Sequence, residues 1–173
     1  MESLLERARK VANEAEVFSI LRRETQAIFE ANRLKQVQTR ESQGVALRLI
    51  KDGRLGFAAT TKPDGEKEVL ELALEMVPFG AEAKFHFPEL RKYPQVKTYD
   101  PKVKKIPEEK LVELGQQLID RLREHEPELV CEGAVTKAIL KVRILNSRGG
   151  EARYEKSFFS LSLEGVLIRG TDM

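Results

Sequence analysis

The sequence predicts an α+β fold: a largely antiparallel sheet with about three helices, in the order helix, strands, helix, loop, helix, strands. Segments with the period of an amphipathic helix alternate with blocks of strand-like segments. Short turns join consecutive strands, which indicates antiparallel pairing rather than a doubly wound sheet. The length of 173 residues suits one domain, or at most two small ones.

A helix is predicted at the start of the chain, from about residue 3 to residue 15. Ser3 and Glu6 fit a capping box, in which each side chain accepts a hydrogen bond from a backbone N–H. The apolar residues recur on one stripe of this helix, at Leu4, Leu5, Ala8, Val11, Ala12 and Ala15. Strand character follows in two segments, residues 16–24 and 25–37.

A β-hairpin gives the strongest local signal. Asp52-Gly53 separates two apolar runs, and a type I′ turn favours such a pair because both central residues need positive φ. Pro63-Asp64-Gly65 predicts a second turn. A second helix is expected from about residue 66 to residue 77, where Pro78 and Gly80 end it.

Residues 81–106 lack periodicity and are divided by prolines, which predicts a long irregular segment. We expect this segment to pack over the sheet because aromatic residues recur in it, at Phe85, Phe87, Tyr93 and Tyr99.

The third helix is predicted from about residue 107 to residue 126. Its expected buried line consists of Leu111, Leu114, Leu118 and Leu122. Alternation then predicts strands over residues 135–145 and 153–163, with a turn at 146–150. On the first of these strands the expected shared face consists of Ala138, Leu140, Val142 and Ile144.

Composition excludes several classes of protein. Thirty basic residues against 28 acidic ones give a net charge of +2, which is too slight to predict nucleic-acid binding. No uncharged apolar run approaches the roughly 20 residues that cross a bilayer. Cys131 is the one cysteine, so an internal disulfide is excluded. We expect a cytoplasmic domain that binds no membrane.

The histidines do not fit a zinc peptidase. His125-Glu126 is the one His-Glu pair, but the second histidine of such a motif would fall at Leu129 or Val130, and Pro127 would break the helix. We interpret this pair as an exposed helix end. His86 is interpreted as a partly packed loop residue, and Cys131 as a small core residue.

Residues 38–60 (QTRESQGVALRLIKDGRLGFAAT) resemble the amino-terminal region of the TldD/PmbA family, once labelled modulators of DNA gyrase. Glu16-Val17 after the first helix, residues 99–101 (YDP), and residues 146–149 (NSRG) leading to 158–162 (FFSLS) support the resemblance. The order matches along nearly the whole chain.

The resemblance implies a zinc-dependent peptidase that often works as a pair of related subunits, one of which can lack the metal. In the family, the H-E-x-x-x-H helix lies in a carboxy-terminal domain. We therefore expect residues 1–173 to be a single TldD/PmbA-like amino-terminal domain without the catalytic domain. Zinc is expected only in that absent domain or in a partner, and this chain alone is expected to catalyse nothing.

The expected role is to form part of a peptide-binding cleft and a subunit interface in proteolysis or peptide maturation. Expected partners are an unfolded peptide and a catalytic TldD/PmbA-type subunit, in a homo- or heterodimer. The predicted contact residues are Arg40, Ser42 and Gln43 before the hairpin, and Asn146, Ser147 and Arg148 in the late turn. Ordinary turn and strand-end roles remain the alternative for both groups. A stand-alone interaction domain without a peptidase role remains the alternative function.

Overall fold

The structure, a computed structural model, describes residues 1–168. Its strands form an antiparallel five-stranded sheet in the order β3-β2-β1-β4-β5, which confirms the α+β class. The strands are β1 Glu14–Glu30, β2 Arg33–Lys51, β3 Arg54–Thr60, β4 Val130–Asn146 and β5 Glu151–Val166. The helices are α1 Glu2–Arg9, α2 Glu66–Met76 with a 3-10 turn Val77–Phe79, α3 Pro101–Lys105 and α4 Glu108–His125.

The first of two compact units comprises Met1–Arg22, Ser42–Lys97 and Leu140–Glu155. Helices α1 and α2, the 3-10 turn after α2, and strands β1 to β4 supply the apolar residues of its core. Gly56 on β3 lets α2 approach closely, because a Cβ there would lie 2.1 Å from the carbonyl oxygen of Ala73.

The second unit comprises Arg23–Glu41, Thr98–Ile139 and Lys156–Met173, of which the structure describes the part up to residue 168. Its core contains buried residues of α4, β1 and β4, namely Ala27, Phe29, Leu111, Ile119, Cys131 and Val135. The interpretation of Cys131 as a small core residue is therefore confirmed.

The predicted hairpin at Asp52-Gly53 is confirmed. These residues have φ of 50° and 75°, as a type I′ turn requires, and Lys51 pairs with Arg54 beyond them. The second helix and the turn after β4 are also found close to their predicted positions.

The first helix is shorter than predicted, because it ends at Arg9. Asn13 already joins the sheet, where its backbone N–H donates to Ile50 and its side chain accepts from the N–H of Asp52. Ala15 is a buried strand residue, since a small apolar side chain fits either period. The capping box is wrong as well: the helix starts after Met1, and no side chain caps it.

A hairpin that the sequence did not predict joins β1 and β2. Strand β1 runs unbroken past residue 24, and the turn falls at Ala31 and Asn32, which have φ of 48° and 68°. The Asn32 side chain donates to the Leu129 carbonyl at 3.1 Å and accepts from the Cys131 N–H at 2.8 Å. These two bonds hold a turn that contains no glycine.

The predicted buried line of α4 is corrected. The buried residues of α4 are Leu111, Gly115 and Ile119, whereas Leu122 is exposed. On β4, the predicted shared face contains two buried residues, Ala138 and Val142, and two half-buried ones, Leu140 and Ile144. Residues from the other face of this strand are also buried, namely Val135 and Leu145.

The irregular segment is only partly packed. Phe87 is buried, but Phe85 and Tyr93 are exposed. The short helix α3, capped by the Asp100 side chain, was not predicted; it follows residues 81–100, which contain two isolated bridges.

Candidate functional site

The first predicted group of contact residues lies on a strand. Arg40, Ser42 and Gln43 belong to β2, and all three are exposed. Arg40 falls in the second unit, whereas Ser42 and Gln43 fall in the first. Their exposure is compatible with ligand contact.

The second predicted group builds the turn between β4 and β5. The buried Asn146 side chain donates to the Pro88 carbonyl at 2.8 Å and accepts from the N–H groups of Arg148 and Gly150. The Ser147 hydroxyl accepts from the N–H of Ala15 at 3.0 Å. Both side chains therefore hold the backbone around this turn.

Arg148 belongs to a charged group that we call the Glu14 cluster, formed by Glu14, His86, Glu89 and Arg148. The guanidinium of Arg148 forms ion pairs with Glu89 and, at 3.5 Å, with Glu14. Nδ1 of His86 lies 2.5 Å from Oε1 of Glu14, and the N–H of Phe87 donates to Oε2 at 2.8 Å. The cluster thus fixes residues 86–89 to the start of β1.

The electrostatics of the cluster favour the ionised carboxylate. Burial by itself would raise the pKa of Glu14, but the Phe87 N–H, the His86 ring and the charge of Arg148 together lower this pKa. The His86 side chain is 75% exposed, so the ring is held by its hydrogen bond to Glu14 rather than by the packing we predicted.

Arg48 supports the same segment from the sheet. Its guanidinium lies 5.0 Å from the ring centre of Phe87 and 5.7 Å from that of Phe85, and it forms an ion pair with Glu16 at 2.7 Å. The two phenylalanine rings meet edge to face at 5.8 Å. These contacts give Arg48 a structural role.

A groove of about 610 Å³ lies in the first unit. Its lining comes from four neighbouring strands, β2, β1, β4 and β5. The lining residues are Ser19, Ile20, Leu21, Gln43, Gly44, Val45, Lys141, Val142, Arg143, Arg153, Tyr154 and Glu155. Of the six predicted contact residues, Gln43 belongs to this set.

The basic residues of this groove were not among the predicted contact residues. Lys141 and Arg143 alternate with the apolar residues of the strand predicted over residues 135–145, and Arg153 is the first residue of the next predicted strand. A signal was present, because a turn at residues 146–150 between antiparallel strands brings these two basic segments side by side.

A second hollow of about 480 Å³ is lined mainly by apolar residues of β1, β2 and β3. They include Phe18, Ile20, Ala46 and Ala59. Its charged lining residue is Lys62.

The other residues that could take part in chemistry include Cys131 and His125. Burial raises the pKa of the Cys131 thiol, so the neutral form is favoured. His125 is the exposed last residue of α4, as predicted. Within residues 1–168, His, Cys, Asp and Glu side chains form no group of three or more placed to hold a metal ion. No helix in that range is long and apolar enough to span a membrane.

Comparison with known proteins gives matches in sequence and in fold. Residues 15–77 match the family model of PmbA/TldA metallopeptidase domain 1. An uncharacterized protein of Methanocaldococcus jannaschii is 26% identical over 163 residues, which cover 94% of this chain and 38% of that protein.

Among solved structures, TldE from Thermococcus kodakarensis has a TM-score of 0.83 and 28% identity, over 99% of this chain and 40% of TldE. A candidate modulator of DNA gyrase from Bacteroides thetaiotaomicron has a TM-score of 0.82 and 16% identity, over 99% of this chain and 41% of that one. One from Thermotoga maritima has a TM-score of 0.74 and 17% identity, over 90% and 37%. The last two show the fold alone. The chain spans about two fifths of the length of these relatives.

Proposed function

Because this chain carries the amino-terminal domain of the TldD/PmbA family, we propose that it is a non-catalytic module of a TldD/PmbA-type metallopeptidase. In this role residues 1–173 form one wall of a peptide-binding cleft and one side of a subunit interface. The observation that carries the proposal is the match to TldE over 99% of this chain but only 40% of TldE. The zinc site is expected in the remainder of such a peptidase or in a partner subunit.

The sequence supports a division of labour between this module and a catalytic part. Neither histidine has a second histidine at the spacing of an H-E-x-x-x-H helix. A hydrolytic zinc needs protein ligands and an activated water. Hydrolysis is therefore assigned to the catalytic part, and peptide binding to this one.

The outer edge of β5 supports peptide binding by strand addition. The N–H of Ser157 donates to the Thr98 carbonyl at 3.0 Å, and the Ser157 hydroxyl accepts from the N–H of Asp100 at 2.8 Å. The segment from Thr98 to Asp100 thus already bonds to that edge at Ser157, and the peptide pairs with the edge beyond this point. Main-chain pairing of this kind tolerates varied side chains, which suits an unfolded substrate.

A row of exposed apolar side chains supports the subunit interface. Leu72, Met76 and Phe79 follow one another at spacings of four and three residues on α2 and the turn after it, and Phe79 is 82% exposed. Contiguous exposed apolar side chains often mark interaction surfaces. We therefore propose that the partner subunit packs against this row of side chains.

The test is to mix the purified chain with a metal-carrying TldD/PmbA-type subunit encoded beside it. We expect the two to co-elute in size-exclusion chromatography and to cleave an unfolded peptide in a zinc-dependent manner, with cleavage lost on chelation. Phe79→Glu is expected to abolish co-elution, whereas Val96→Glu, which changes another exposed residue, leaves it unchanged.

Failure to associate with any metal-carrying subunit would contradict the proposal. Association without any effect on cleavage would instead favour the alternative function, an interaction domain without a peptidase role.

A further inference from the structure

We propose that the groove between β2 and β5 binds an extended acidic peptide, and that Arg153 receives a carboxylate of that peptide. This inference rests on the proposed function, because it names the chemistry of the peptide that binds in this groove, a contact separate from the edge of β5. The residues that carry it lie in the first unit.

The charge of the groove favours an anionic ligand. Three basic residues line it, whereas Glu155 is its one lining carboxylate. Lys141 pairs with Glu155 at 3.2 Å, and Arg143 pairs with Glu2 at 2.6 Å. Arg143 also bonds to the carboxylate of Glu151.

Arg153 differs from these two residues, because it forms no ion pair with any residue in the range 1–168. Its side chain is exposed at the groove. A guanidinium presents paired N–H donors that match a carboxylate in a bidentate arrangement. Arg153 is therefore the cation of this groove that is available to a ligand.

The apolar residues that line the groove place a second requirement on the ligand. Leu21 and Tyr154 are 43% and 50% exposed, and both line the groove beside the charged residues. Binding is favoured when an apolar side chain of the ligand covers this surface, because apolar area is then removed from water. The best ligand thus carries an apolar side chain next to a carboxylate.

The dimensions favour a peptide over a small metabolite. Strands lie about 4.8 Å apart, so a groove that crosses four neighbouring strands spans about 14 Å. An extended chain advances about 3.3 Å per residue, so about four residues fit that span.

The test uses the purified 173-residue chain and two fluorescein-labelled peptides, Leu-Asp-Leu-Asp and Leu-Asn-Leu-Asn, each acetylated and amidated. Fluorescence anisotropy measures the dissociation constant of each. We expect the aspartate peptide to bind about tenfold more tightly than the asparagine peptide, since a hydrogen bond to a charged group changes a dissociation constant by about that factor.

Arg153→Gln is expected to weaken binding of the aspartate peptide about tenfold and to remove the preference between the two peptides. Arg91→Gln serves as the matched control, because Arg91 is exposed and lies outside the groove. A second variant, Gln43→Glu, adds a carboxylate to the groove. It is expected to weaken binding of the aspartate peptide and to leave binding of the asparagine peptide unchanged. Thermal unfolding of each variant checks that it is folded.

Equal binding of the two peptides by the wild-type chain would overturn the inference, as would an Arg153→Gln variant that binds like Arg91→Gln. Tighter binding of a single-stranded oligonucleotide at the same salt concentration would overturn it too. The proposed function can fail independently of this inference. A chain that prefers the aspartate peptide but never associates with a catalytic subunit would support peptide binding in the groove and contradict the peptidase role.

Discussion

The ring of Phe29 lies directly against Gly115, where a Cβ would fall 2.1 Å from Cε2 of the ring. Phe29 comes from β1 and is 2% exposed, and Gly115 is at the middle of the buried side of α4. Glycine inside a helix normally lowers stability by roughly 0.5–1 kcal/mol relative to alanine. Here the close approach of helix and ring requires it.

We expect Gly115→Ala to lower the free energy of unfolding by about 1–2 kcal/mol. Overpacking against the ring costs about 1–3 kcal/mol, and the gain in helix propensity offsets at most about 1 kcal/mol. Urea denaturation followed by circular dichroism measures the change. Gln117→Ala, on the exposed side of the same helix, is expected to stay within about 0.5 kcal/mol of the wild type. An unchanged Gly115→Ala variant would contradict the packing argument.

The ends of α4 were predictable from the sequence, but its buried side was not. Pro107 and Pro127 mark the ends, and the helix runs between them. The leucines offered a plausible apolar line, yet Leu122 is exposed and Gly115 is buried. Hydrophobicity contains no signal for a glycine whose role depends on a ring 86 positions earlier in the chain.

The Glu14 carboxylate is expected to make stability depend on pH. Its pKa is lowered in the folded state, so its contribution is present above the ordinary value of 4.5 and is lost as the pH falls through the folded pKa. We expect Glu14→Gln to lower the free energy of unfolding by about 2 kcal/mol at pH 7, since the carboxylate accepts from Phe87 and His86. Urea denaturation at several pH values measures the loss.

The control for this prediction is Glu41→Gln, because the pair between Glu41 and Arg23 is exposed on both sides. Such surface pairs contribute about 0–1 kcal/mol. The loss in Glu14→Gln should shrink below pH 4.5 as the wild-type carboxylate is protonated. A loss that stays constant down to pH 3 would show that packing, and not charge, is responsible.

The candidate site divides in the same way between predictable and unpredictable residues. A turn around Asn146 follows from its residue types, and the bonds to Gly150 and Arg148 confirm the turn. The bond from Asn146 to Pro88 joins positions 58 residues apart, so no local pattern reveals it. The availability of Arg153 likewise depends on contacts between strands. Lys141 and Arg143 each pair with a carboxylate, so within residues 1–168 Arg153 is the cation of the groove that forms no ion pair.

The Asn32 turn allows its backbone and side-chain contributions to be separated. Asn32→Gly keeps the positive φ of 68° but removes the bonds to Leu129 and Cys131, whereas Asn32→Ala removes the bonds and also strains the backbone. We expect both variants to be destabilised, the alanine variant by about 1 kcal/mol more. Thermal unfolding measures the order. A glycine variant as stable as the wild type would show that the two side-chain bonds contribute nothing.

Cys131 is expected to resist thiol reagents while the chain is folded. It is fully buried in the second-unit core, and burial raises its pKa, so both access and the thiolate fraction are reduced. We expect reaction with an aromatic disulfide reagent at pH 8 to be slow in buffer and fast in concentrated urea. The rate in buffer should rise in Asn32→Ala, because that variant loses the side chain that accepts from the Cys131 N–H and loosens this end of β4. A fast native reaction would mean that this part of the core opens readily.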